Sequence, residues 1–174
     1  MVLGFMKKRP DARVVSALYQ ALVTQARQPV LYAQWGVPDT VSGRFDMISL
    51  HAALLFRRLR GDGETGLALS QAIFDLFFKD MDRSLREMGV GDLAVPKKIQ
   101  KMGSVFYGLL AAINEAMDKK DEAALSEILR RNLFDGAEVS GLGQICAYVW
   151  RQDAAIAALA YADIADGKLA LENA

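Results

Sequence analysis

Apolar side chains recur along this chain at intervals of three and four residues, and prolines and glycines cut the recurrence into segments. Val14, Val15, Leu18, Leu22 and Val23 fall on one helical face, which predicts a first helix from Asp11 to Arg27 with Asp11 as its N-cap. Pro29 ends that run and starts a short helix through Gln34, because its fixed φ suits a first turn. Gly36, Pro38 and Asp39 then make a turn. The second long helix, Thr40 to Arg60, carries Phe45, Ile48, Ala52, Leu55 and Leu59, and Gly43 weakens its first turn. The third, Glu64 to Met88, carries Ile73, Phe77, Met81, Leu85 and Met88. Leu69, Leu76 and Phe78 widen its stripe, so this helix is expected to be central and packed on more than one side. Pro96 to Asp118 and Asp121 to Phe134 follow with the same spacing. Ser140 is read as the cap of a helix reaching about Tyr161, and the tail beyond Asp166-Gly167 as frayed. No apolar–polar alternation bounded by turns occurs. The expected fold is all-α: a compact single-domain bundle of about six or seven helices over residues 1–174, with short loops between neighbours.

Composition narrows the function classes. At 52% hydrophobic and 24% charged residues the chain has ample material for a core, which argues against disorder and for a soluble globular domain. Formal net charge is zero, so the general cationic attraction used by nucleic-acid binders is missing, and no direct nucleic-acid partner is expected. No stretch reaches the roughly 18 apolar residues of a membrane span. The N-terminal MVLGFMKKRPD places its charges after its apolar patch, the reverse of a secretory signal, and reads at most as a weak surface anchor to acidic lipid. The lone Cys146 lies among apolar residues and reads as an inert buried thiol of a reducing compartment.

Candidate chemistry is sparse. Gly61, Gly63 and Gly66 match G-x-G-x-x-G, but the motif follows a helix and not a strand, and Asp62 and Glu64 would repel a phosphate. It reads as a helix-breaking loop. His51 is the only histidine, and with a single cysteine elsewhere no metal centre is expected. No cofactor is indicated. Asp80, Asp82, Arg83, Arg86 and Glu87 form the densest charge cluster, either a salt-bridged solvent face or a polar docking face. Trp35, with Tyr32 and Leu31, is either a core plug or an interface anchor.

Two long segments carry more information: LYAQWGVPDTVSGRFDMISLHAALLFRRLR (residues 31–60) and FDLFFKDMDRSLREMGVGDLAVPKKIQKMGSVFYG (residues 74–108). In this order they resemble the ubiquinol–cytochrome c chaperone family, the match covering most of residues 10–135. The resemblance implies an all-helical assembly chaperone, not an enzyme. It would bind newly made cytochrome b and assist assembly of ubiquinol–cytochrome c reductase. The family's signature falls on Trp35, Gly36, Asp39, Thr40, Gly43, Arg44, Phe45, Asp46 and His51. It continues at Phe74, Asp80, Asp82, Arg83, Arg86, Glu87, Gly89, Gly91, Asp92, Lys97, Lys98 and Tyr107. Val95-Pro96 departs from relatives that often place a glycine second. The chain begins almost at the domain, without an Arg- and Ser-rich transit peptide, and so resembles short bacterial members at the cytoplasmic face of the inner membrane. A ribosome contact, a small helper protein and the oligomeric state are left open.

The expected site is an apolar groove where the second, third and fourth long helices meet, lined by Trp35, Phe45, Phe78 and Tyr107. Its polar rim would hold Asp39, Arg44, Asp46, His51, Asp80, Asp82, Arg83 and Glu87. Two other readings stand beside it: a general helical adaptor for another membrane or ribosomal partner, and an enzyme using His51 with Asp46 or Asp80.

Overall fold

The computed structural model describes residues 9–174, all of whose regular structure is helical. The expected N-terminal lipid patch lies outside these residues. Helix α1 (Ala12–Ala26) starts where Asp11 Oδ1 accepts the Arg13 amide at 2.8 Å, as the cap assignment requires. Helix α2 (Pro29–Ala33) has proline in its first turn. Thr40 caps α3 (Val41–Leu59) by accepting the Gly43 amide at 3.1 Å. A 3-10 turn at Arg60–Asp62 leads into α4 (Gly63–Glu87), followed by α5 (Val95–Asp118) and α6 (Glu122–Phe134), the last capped by Asp121.

Three expectations are corrected here. The C-terminal helix is two helices, α7 (Leu142–Ala157) and α8 (Tyr161–Ala165), and Ser140 does not cap the first, which begins from Gly141 without a side-chain cap. The tail is not frayed. Leu169, Leu171 and Ala174 pack on the core, and the Glu172 carbonyl accepts the side-chain amides of Gln152 and Gln25. The Glu172 amide donates back to Gln152 Oε1 at 3.2 Å, and the Ala174 amide to Gln28 Oε1 at 2.8 Å. Finally, the central helix is α3 and not α4. Met47 through Phe56 is buried without interruption, and α3 touches α1, α4, α5, α6 and α7. Its histidine, serine and small alanines disguise that burial in a hydropathy reading.

Glycine has a defined use at two places. A Cβ on Gly43 would stand 2.0 Å from the Pro38 carbonyl oxygen, so the turn before α3 folds back directly onto its first turn. On Gly66 it would stand 2.0 Å from the Leu59 carbonyl oxygen, which explains the last glycine of the G-x-G-x-x-G stretch as close packing at the α3–α4 corner.

The junction of α3, α4 and α5 is filled by aromatic rings. Phe45 stacks on Phe77 with centroids 5.3 Å apart, and Phe78 stacks on Phe74 at 4.3 Å. Phe106 closes the cluster edge-on to Phe77, Phe78 and Phe56. Charge then ties the helices at their ends: the largely covered Arg57 pairs with Asp118 of α5 and with Asp153 of α7 at 3.1 Å.

Phe106 is fully buried at the centre of that ring cluster. Phe106→Ala should therefore lower the stability to urea unfolding by about 3–5 kcal/mol. A loss below about 1 kcal/mol would mean that the rings are not the packed centre of the domain.

Candidate functional site

At the surface of the α3–α4–α5 junction a small groove remains beside Tyr107, while rings fill the interior. Phe45 and Phe78, expected as groove lining, are buried inside it. Trp35 is elsewhere too: its half-buried ring lies edge-on to Tyr148 of α7, 5.5 Å between centroids, and plugs the core beside α2. Of the expected apolar lining Tyr107 is the most open to the surface, 52% exposed, with its ring 5.2 Å from Phe74.

His51 is not a rim residue. It is wholly buried, and both ring nitrogens are engaged. Its Nδ1 lies 2.7 Å from the Met47 carbonyl, which can only accept, so Nδ1 carries the proton. Its Nε2 therefore accepts from the Tyr148 hydroxyl at 2.6 Å. That hydroxyl in turn accepts the Gln25 side-chain amide at 2.7 Å. The chain of bonds satisfies every buried member, and burial holds the imidazole neutral with a pKa near 4. Neither Asp46 nor Asp80 bonds the ring, so the enzyme reading finds no assembled constellation. Asp46 is half-buried near Asp135, and burial, then that second carboxylate, raise its pKa to about 7.

The remaining rim residues fall into two groups. Asp39 and Arg44 form an exposed ion pair of 2.7 Å beside a cleft of about 520 Å³ shared with Arg27, Pro29 and Tyr32. Asp80, Asp82, Arg83 and Glu87 stand in the last turns of α4. Asp80 accepts the Tyr19 hydroxyl of α1 at 2.9 Å and pairs with Arg83. Arg83 also reaches Glu87 at 3.8 Å, while Asp82 pairs with Arg86 at 2.6 Å. Burial, followed by the bond to Asp80, pushes the Tyr19 phenol far above its usual value, so it stays a donor.

Open apolar surface lies on the two flanks of α4. Against α1 runs a groove of about 880 Å³ floored by Val15, Leu67, Ala68, Ala72 and Leu76 and edged by Arg9, Glu64, Gln71 and Asp75. It leads into a smaller hollow of about 260 Å³ at Tyr19, Lys79, Asp80 and Arg83. Against α5 a smaller groove of about 220 Å³ holds Phe56, Phe74, Tyr107 and Leu110. Asn114 also lines it, with a side-chain oxygen unpaired among the described residues. Leu67, 59% exposed, is the ridge between the two. Sequence reasoning did not single out the α1 flank, because its Ala12, Ser16, Ala68 and Ala72 are small and belong to no apolar stripe. Small residues facing one another across two helices leave a depression, and the repeat of Glu64, Leu67, Gln71 and Asp75 along one side of α4 was the available signal.

Comparison with known proteins agrees with this architecture. A sequence model of the ubiquinol-cytochrome C chaperone family matches residues 33–171. The ubiquinol-cytochrome-c reductase complex assembly factor 1 of Xenopus laevis is 21% identical over 118 residues, which are 68% of this chain and 58% of that protein. The Mus musculus counterpart is 24% identical over 118 residues, covering 68% of this chain and 40% of its own length. The chain thus spans little more than half of the first and less than half of the second. The crystal structure of the Cbp3 homolog from Brucella abortus superposes with a TM-score of 0.84 at 38% identity, covering 92% of this chain and 90% of that one.

Two pH effects follow. The ordinary pKa of 6.5 for His51 falls to about 4 on folding, so between those values the unfolded chain binds a proton that the folded chain refuses. Stability is then complete above pH 6.5 and declines toward pH 4, by up to about 3 kcal/mol. His51→Gln should flatten that part of a urea-unfolding pH series. For Asp46 the sign is opposite: its contribution is present below the ordinary 3.8 and lost as pH rises through about 7. Asp46→Asn should therefore raise the melting temperature above pH 7 and change it little near pH 4. An equal gain at both would disprove the burial of a charge there.

Proposed function

The chain belongs to the ubiquinol-cytochrome C chaperone family, and from that premise we propose that it is an assembly chaperone for ubiquinol–cytochrome c reductase which shields newly made cytochrome b. The observation that carries the reading is the pair of open apolar grooves flanking α4, with the charged residues Glu64, Asp75, Asp80 and Arg83 along their edges. A membrane protein emerging before it is inserted exposes apolar helix surface that aggregates in water. An amphipathic or apolar helix laid against α4 would cover Leu67, Phe74 and Tyr107, and the edge charges would fix its register. Charged edges that stay wet contribute little affinity, which suits a client that must be handed on.

The activity is holding, not catalysis. No bond of the client has to be made or broken, and the buried histidine is used inside the core. The place of work in this reading is beside the membrane that receives the client, at its cytoplasmic face. A ribosome contact or a helper subunit would be an addition to the groove and not a substitute for it.

The test uses a photo-crosslinking amino acid at Gln71 in cells that make the bc complex. Cytochrome b should be the captured partner. Leu67→Asp combined with Tyr107→Asp should reduce capture about tenfold, from roughly 1.5 kcal/mol of lost apolar cover, without loss of helicity, since both side chains are exposed. Undiminished capture by that folded variant would remove the grooves from the mechanism. Normal haem b absorbance of the complex after deletion of the gene would remove cytochrome b as the client and leave the adaptor reading.

A further inference from the structure

The connection between α4 and α5 carries a second surface that the grooves do not use. Met88 is 49% exposed there, and Leu93 is 93% exposed, the most of any large apolar side chain among the described residues. The connection is not slack. The Gly89 amide donates to the Arg86 carbonyl at 2.9 Å and the Val90 amide to the Leu85 carbonyl at 3.1 Å. The Ala94 and Val95 amides both donate to the Gly91 carbonyl, at 2.8 and 3.2 Å. Leu93 is thereby held outward in the turn just before α5, where it gains nothing from folding. Lys97, Lys98 and Lys101 follow within the first two turns, and all three are exposed. None of the three is ion-paired among the described residues, and the acids nearest in sequence are already taken. Asp82 and Asp92 pair with Arg86, and Glu87 with Arg83.

We propose that this tip docks on an anionic bilayer surface, with Leu93 and Met88 entering among the headgroups and Lys97, Lys98 and Lys101 meeting the lipid phosphates. Charge complementarity selects the bilayer. A polyanion such as RNA would use the lysines but has no need of a leucine held clear of the protein. A bilayer uses both, and neither signal alone gives stable attachment. The inference goes beyond the client reading and does not depend on which segment the grooves cover.

The full chain is mixed with phosphatidylcholine vesicles with and without phosphatidylglycerol, and the bound fraction is read by co-flotation. Binding should require phosphatidylglycerol and weaken as salt is added. Leu93→Asp should weaken it about tenfold, and the triple variant Lys97→Gln, Lys98→Gln, Lys101→Gln about a hundredfold. All four side chains are exposed, so circular dichroism should report an unchanged fold. Absence of vesicle binding, or vesicle binding indifferent to Leu93→Asp, overturns the proposal. Binding to heparin that needs the lysines, without any to vesicles, reassigns the patch to a polyanion and also overturns it.

Discussion

Burying the middle of α3 on every side sets the terms for the rest of this molecule. A helix with no face to water needs cover all round, and α1, α4, α5, α6 and α7 supply it. Two consequences follow from that constraint. A polar ring within α3 is costly unless it is paired inside, and His51 is locked between the Met47 carbonyl and the Tyr148 hydroxyl, whereas the buried Ser49 hydroxyl has no partner among the described residues. The helices doing the covering, α4 above all, are also left with outer flanks that nothing among the described residues covers. The grooves proposed to hold the client lie there, on the outside of the cover.

Much of the fold was legible in the sequence because apolar spacing marks each long helix and capping chemistry agrees with it at α1, α3 and α6. Asp11, Thr40 and Asp121 cap the helices they precede, and Pro29 and Pro96 sit in first turns. What misled was stripe width. The wide stripe of α4 reflects Phe74, Phe77 and Phe78 stacking into one ring cluster, whereas α3 is wrapped while carrying Ser49, His51, Ala52 and Ala53. Hydropathy counts how greasy a helix is; burial depends on what stands around it.

The site was less legible, for a related reason. Aromatic residues drew attention to themselves, and most of them turned out to be holding the domain together. Phe45 and Phe78 are inside and Trp35 is half-buried against Tyr148, while the larger groove, against α1, is shaped by alanines, one serine and an exposed leucine. A hollow is made by side chains that are missing, and a single sequence does not display what is missing. The charge cluster on α4 was correctly seen as dense, but its tie to α1 through Tyr19 and Asp80 joins residues 61 positions apart, beyond any local pattern.

The closing stretch of the chain has an evolutionary implication of its own. Gln25, Gln28 and Gln152 grasp peptide groups at Glu172 and Ala174, while the side chains of Glu172 and Asn173 point to water. A clasp of that kind reads where the main chain runs and is blind to the residue types along it. Related sequences are then free to drift in identity here as long as the path and its length are kept, and proline, lacking the amide hydrogen, is the substitution such a clasp refuses at positions 172 and 174.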